Sequence, residues 1–346
     1  MNDLPEDLRQ VLSSRADDAD RLCDWPALSW DALRTSGLLA AGVSSRYGGT
    51  EADPVRLLRR SESLAGACLT TAFILSQREA AVRHLLRGPE HLGQRYLPQL
   101  ASGALFLTVG LSQLTTSRQH GQPALLATPQ PGGGYRLEGE APWVTGADQA
   151  AALVLGAVLP DGRQALFVVP TDRPGLSVGP PLPLAALAGS RTAAVRCAGV
   201  SVAGEDVLTQ PADQVLGNVG GGGLDTSSLA LGLAQAATDD LREESHHRPA
   251  LGVVADRFDQ ALASARARLH LQAVSSEPEA VLALRAEATR LALTATQAGL
   301  LAVKGAGFIA PHPVERRLRQ ASFFLVWSCP RPVAEGVLSG LLPLSM

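Results

Sequence analysis

Gly305-Ala306-Gly307-Phe308, then Pro313-Val314-Glu315-Arg316, then Arg319-Gln320-Ala321, then Trp327-Ser328-Cys329 follow one another between Lys304 and Cys329. A glycine-rich turn leads into a helix opened by proline, which is tolerated in a first helical turn. Pro330 and Pro332 are expected to stop that helix. An aromatic residue and a small hydroxyl, Trp327-Ser328, stand just before the stop.

Upstream lies more helix. A helix is expected to reach about Val303 from Pro278, with Ser276 and Glu279 forming a capping box and Gly305 ending it. Another is expected from about Val253 to Ala273. A first one keeps helical spacing through Leu229, Leu233 and Ala236 and breaks at Arg248-Pro249. His246 and His247 then suit the carbonyl end of that helix. Gly220–Gly223 before it lacks the strand–turn–helix fingerprint and acidic partner of a nucleotide site, and reads as a hinge.

From about 105 to 212 the composition changes. Leu105 to Leu111, Val154 to Val158, Ala165 to Val169, Thr192 to Cys197 and Val200 to Val202 are strand material. Pro160-Asp161-Gly162 is a hairpin turn signal between the second and third of these. This is a small β module, expected to be a barrel or sandwich.

Residues 1 to 104 read as helical. Leu8, Val11 and Leu12 follow Pro5 at helical spacing. Ser29 is expected to cap a short helix carrying Trp30 and Leu33 and ending at Gly37. Asp53-Pro54 is an N-cap followed by a first-turn proline. Thr70 to Leu86 follows, with Phe73, Ile74 and Leu75 adjacent, which points to burial on more than one side. The fold class is therefore α+β: a helical domain over 1–104, a β domain over 105–212 and a helical bundle over 224–346.

The 346 residues suffice for such units around an extensive core. Hydrophobic residues at 46% against 18% charged exclude a disordered chain. A net charge of −3 without a basic concentration argues against nucleic-acid binding. Arg59-Arg60 is expected on a solvated helix face. No apolar run is long enough to span a bilayer, and the acidic, polar N-terminus does not read as a signal peptide. Cys23, Cys68, Cys197 and Cys329 show neither metal nor disulfide spacing, which suits a reduced, cytoplasmic protein.

The C-terminal series resembles the signature of the acyl-CoA dehydrogenase family: a glycine-rich turn, Pro-Val-Glu-Arg, Arg-Asp-Ala and Tyr-Glu-Gly, whose Glu is the catalytic base. Trp327 falls on the Tyr and Ser328 on the Glu. The resemblance runs through nearly the whole chain. Leu38 to Gly49 resembles the family's Gly-Leu…Gly-Gly loop, and Ala101-Ser102-Gly103 its Ala-Ser-Gly. Ser112-Gln113-Leu114 falls on Thr-Glu-Pro, keeping a hydroxyl near the flavin, while Thr115 to Gln119 replaces Gly-Ala-Gly-Ser-Asp. Trp143-Val144-Thr145-Gly146 falls on Trp-Ile-Thr-Asn. There the resemblance implies a Trp packed on the isoalloxazine and a Thr hydrogen-bonded near N5; read as a plain residue, Trp143 is a buried Trp at a strand end. Arg248 and Gly252 match the family's Arg-x-x-Phe-Gly, whose Arg reaches the FAD pyrophosphate of a neighbouring subunit. Leu251 replaces its Phe, Leu301 an adenine-side Gln, and Lys304-Gly305 a Gly-Gly pair.

The resemblance thus implies FAD, a small-molecule substrate such as an acyl-CoA, and a homodimer or homotetramer. At the base it departs. A serine hydroxyl cannot abstract an α-proton without a base of its own. The alternative family position for the Glu corresponds to Gly222. Asp225, one turn on, is the nearest carboxylate, and its plain reading is a helix N-cap. Three functions stay open: an oxidoreductase acting on CH–CH groups with an altered base position, a flavin-dependent monooxygenase of the same fold, and a non-catalytic homologue serving as a binding or assembly module.

Overall fold

A computed structural model describes residues 4–115, 124–216 and 223–341. The helices of the first part are α1 Glu6–Ser14, α2 Ala16–Arg21, α3 Ala27–Thr35, α4 Pro54–Ala67, α5 Leu69–Arg87 and α6 Glu90–Ser102. The Asp53 carboxylate accepts from the Val55 N–H at 3.1 Å, so α4 starts where Asp-Pro chemistry puts it. Ser29 does not cap: α3 begins at Ala27, after Pro26, and Ser29 is buried inside it. Arg60 is not solvated either. It is buried, donates to the Leu38 carbonyl at 3.2 Å and lies 3.6 Å from a Glu79 carboxylate oxygen. Burial lowers its pKa, and Glu79 works against that shift.

The strands are β1 Leu107–Gly110, β2 Leu125–Pro129, β3 Tyr135–Val144, β4 Ala152–Val158, β5 Gln164–Pro170, β6 Leu176–Pro181, β7 Ala193–Val202 and β8 Val207–Ala212. They form one mixed sheet in the order β6-β7-β3-β2-β4-β5-β8, with β1 parallel to β4. β4 and β5 pair antiparallel across the Asp-Gly turn, Val158 opposite Gln164. Thr192 to Cys197 and Val200 to Val202 belong to one strand region, in which Gly199, at φ +70°, is the extra residue of a bulge against β3. The sheet curls strongly: the rings of Tyr135 on β3 and Phe167 on β5 meet at 5.1 Å although β2 and β4 separate those strands. Leu153, Leu155, Phe167 and Val169 fill the inside of the curl with Val195 and Val200. The alternate residues Val154, Leu166 and Val168 pack outward on Val82, Leu85 and Leu97. Two buried faces explain why β4 and β5 read as continuous apolar runs rather than alternating ones.

The last part holds α7 Leu224–Ser245, α8 Ala250–Ser275, α9 Pro278–Val303, α10 Pro313–Phe323 and α11 Arg331–Leu341. Two expectations fail here. Ser276 is the left-handed residue that ends α8, and its hydroxyl bonds back to the Gln272 carbonyl, so it forms no capping box. Pro330 and Pro332 do not stop the preceding helix. α10 has already ended at Phe323, and the two prolines start α11, whose first turns close onto the Pro330 carbonyl.

α4 and α7 cross at two glycines. A Cβ on Gly66 would lie 3.3 Å from the Gly232 carbonyl oxygen, and one on Gly232 would strike the Glu62 carbonyl well inside contact distance. Backbone on backbone cannot yield, so Gly232→Ala is expected to cost about 2–3 kcal/mol, the upper range for overpacking. Thermal unfolding should show a drop of several degrees, and an unchanged midpoint would refute the close crossing.

Candidate functional site: a cavity between the sheet and two helical layers

α5 turns one stripe toward the sheet. Phe73, Ser76, Gln77, Ala80, Arg83, His84 and Arg87 recur at helical spacing along it and line a cavity of about 840 Å³. The β module supplies the opposite wall with Ser112, Trp143, Thr145 and Thr192. α7 contributes Asp225 and Thr226, α10 contributes Arg319 and Phe323, and the turn after it Trp327 and Ser328. Residues spread from 73 to 328 thus converge on one space.

Trp143 ends β3 with half of its surface exposed. It is therefore not the buried Trp of the plain reading. Thr145 is buried, and its hydroxyl lies 3.2 Å from that of Thr192, which is 2.9 Å from that of Ser190. Gly146, at φ +61°, donates its N–H to the Ser190 carbonyl at 2.9 Å, and a Cβ on it would lie 2.9 Å from the Phe106 ring and 3.0 Å from that of Trp25. A side chain there would push on those rings and displace Thr145. The Ser112 hydroxyl is buried on the cavity wall with no hydrogen-bond partner among the described residues. A buried hydroxyl without a partner costs free energy, so this one suits a ligand that completes it.

At the far wall, Phe323 and Trp327 stack at 5.5 Å, and Phe73 meets both edge-on. Ser328 follows in the left-handed region, at φ +49°. This turn is held from behind by Arg285, which is buried and donates to the Phe324 and Trp327 carbonyls at 3.0 and 3.1 Å. Burial, with no carboxylate paired to it among the described residues, pushes the guanidinium down to about 10.

Asp225 is not an N-cap. Gly223 occupies that position, and the Asp225 carboxylate pairs with Arg83 at 2.6 Å. Gly222, with most of the expected glycine hinge and all but the first residue of the altered Thr115–Gln119 turn, lies outside the described residues. Arg248 is not on the cavity. It sits between α7 and α8, donating to Glu244 at 2.7 Å and to the Ala302 carbonyl. Leu301 and Lys304 are exposed nearby.

His84 was invisible as a site residue in the sequence, although the stripe it shares with Phe73, Gln77 and Ala80 carries the signal. Burial first, then the Arg83 and Arg87 charges, lower its imidazole from 6.5 to about 4. It is neutral at pH 7. The unfolded chain takes up the proton near pH 6.5 and the folded chain only near 4. The stability it contributes is therefore full above pH 6.5 and is lost as pH falls toward 4. His84→Gln should flatten that acid limb of the stability curve, and an imidazole NMR titration near 6.5 in the folded protein would contradict it.

Residues 6–104 match the family model described as acyl-CoA dehydrogenase, N-terminal domain. A probable acyl-CoA dehydrogenase of Bacillus subtilis, YngJ, is 27% identical over 67% of this chain; the match spans 63% of that protein, just under two thirds of its length. The short-chain specific acyl-CoA dehydrogenase of Clostridium acetobutylicum is 25% identical over 88% of this chain and 86% of its own. In structure, butyryl-CoA dehydrogenase from Megasphaera elsdenii matches with a TM-score of 0.82 and 19% identity, over 98% of this chain and 99% of its own. The dibenzothiophene monooxygenase TdsC from Paenibacillus sp. A11-2 matches at 0.81 and 21%, over 97% and 95%. Likenesses this remote in sequence speak for the fold. Together with the matched N-terminal helices and the dehydrogenases aligned along most of its length, they show a chain similar throughout to the acyl-CoA dehydrogenases, with that family's N-terminal domain over residues 6–104.

Proposed function

We propose that the cavity holds the ring system of FAD and a small-molecule substrate, and that the protein is a flavin-dependent oxidoreductase whose usual base position is altered. The carrying observation is the convergence of Ser112, Trp143, Thr145 and Ser328 on one cavity, with the Ser112 hydroxyl buried and unpartnered among the described residues. Bound flavin supplies an acceptor for a hydride or a pair of electrons. In this reading Trp143 offers its free face to the ring, Thr145 and Ser112 offer hydroxyls, and Ser190 and Thr192 orient Thr145. Phe73, Phe323 and Trp327 form an apolar wall that excludes water from the substrate. Arg248, in this reading, serves a neighbouring chain of a homodimer or homotetramer.

The substrate is an acyl thioester or a related compound. One observation favours the monooxygenase alternative: the single carboxylate lining the cavity among the described residues, Asp225, is already paired with Arg83. Chemistry that begins with reduced flavin and oxygen needs no carboxylate at position 328. The test is the absorbance spectrum of the purified protein with and without added FAD. A band near the flavin maximum that survives gel filtration supports the reading. A colourless protein that releases added FAD overturns it in favour of a non-catalytic homologue.

A further inference from the structure

α5 ends in the cavity with Arg83, His84 and Arg87. These side chains stand at i, i+1 and i+4, so the two arginines share one face and His84 borders it. The charges of the cavity do not cancel. Arg319 is answered by Asp20, at 2.7 Å, and by Glu315. Arg83 is answered by Asp225. Arg87 has no ion pair and no hydrogen bond among the described residues, and no other carboxylate lines the cavity among them. His84, neutral at pH 7, keeps one ring N–H to donate. The surplus at this wall is therefore one positive charge, next to a second guanidinium and a neutral donor. The opposite end of the cavity, at Phe73, Phe323 and Trp327, is apolar.

We propose that the C-terminal end of α5 is an oxyanion subsite, in which Arg87, with Arg83 and His84 beside it, holds a carboxylate or phosphate of the substrate. This rests on the cavity being the substrate site. A guanidinium fork matches either oxyanion. The apolar end takes the hydrocarbon part, so the ligand is amphipathic and carries its anion at a distance from that part. The anion has two chemical sources: a carboxylate on the acyl group, or a phosphate on the thiol carrier.

Tryptophan fluorescence reads binding without reference to flavin, because Trp143 and Trp327 line the cavity. Three probes separate the sources at low ionic strength: butyryl-CoA carries phosphates, S-glutaryl-pantetheine carries only a carboxylate, and S-butyryl-pantetheine carries neither. At least one anionic probe should bind about tenfold tighter than S-butyryl-pantetheine, and Arg87→Gln should remove that advantage. Whichever anionic probe shows it names the source. Equal binding of all three, or an advantage that Arg87→Gln leaves intact, means a solvated helix-end arginine only and overturns the subsite. If none of the three binds, the substrate reading of the cavity falls and the subsite falls with it.

Discussion

With FAD supplied, turnover of saturated acyl-CoAs from butyryl to palmitoyl should run about 10²–10⁴-fold below what a carboxylate base allows, and Ser328→Glu should restore part of it. Removing an α-proton as a hydride leaves the β-carbon needs a base in the cavity. Ser328 supplies a hydroxyl, and the Asp225 carboxylate is paired with Arg83 at 2.6 Å. The introduced Glu must adopt the left-handed backbone that Ser328 already holds, a strain that any residue with a Cβ bears, so the exchange adds little to it. A base worth 10²–10⁴ corresponds to about 3–5 kcal/mol of the barrier. Anaerobic flavin bleaching by butyryl-CoA in a stopped-flow measures both proteins. Brisk bleaching by the unaltered protein that Asp225→Asn abolishes would identify a relocated base. Brisk bleaching that survives Asp225→Asn would sink the argument from the missing carboxylate.

The second large effect concerns stability. Asp20, on α2, is fully buried. Its Oδ1 accepts from the Leu187 N–H at 2.9 Å and from Gln320 Nε2 at 2.8 Å. Its Oδ2 lies 2.7 Å from Arg319, close in distance but off the hydrogen-bond direction. One carboxylate therefore joins the N-terminal helices, the β module and α10. Asp20→Ala leaves Arg319 with Glu315 as its one carboxylate, beside the Ala185 carbonyl, and strips two buried donors of their acceptor. The expected loss is about 3–5 kcal/mol, the cost of breaking a buried ion pair. Asp20→Asn keeps an acceptor for Leu187 and Gln320 and should cost about half as much. Urea denaturation decides, and equal midpoints for Asp20→Ala and the unaltered protein would refute this role.

Legibility in the sequence followed the range of the interactions. The Asp53 cap was readable because its partner is two residues away. The β4–β5 hairpin was readable because Asp161-Gly162 sits between its strands. Ser276 misled because the same Ser-x-x-Glu spacing fits either side of a helix break, and only the backbone decides that its hydroxyl turns back to Gln272. Pro330 and Pro332 misled because proline ends one helix and opens the next by the same chemistry. Arg60 looked solvated because its partners, Leu38 and Glu79, are 22 and 19 residues off in the chain. At the site, Ser112, Trp143, Thr145 and Ser328 were found through a family pattern. Nothing local could pair Asp225 with Arg83, 142 residues earlier, or warn that His84 shares their space.

Arg285 grips the turn before Ser328 by peptide oxygens, those of Phe324 and Trp327, and not by any side chain at position 328. Those oxygens are present whatever residue the gene writes there. The corner behaves as a socket with an interchangeable insert: a single codon change exchanges the group presented to a ligand while the clamp behind it keeps its hold. Loss of one reaction at such a corner carries little folding penalty, and neither does the arrival of another.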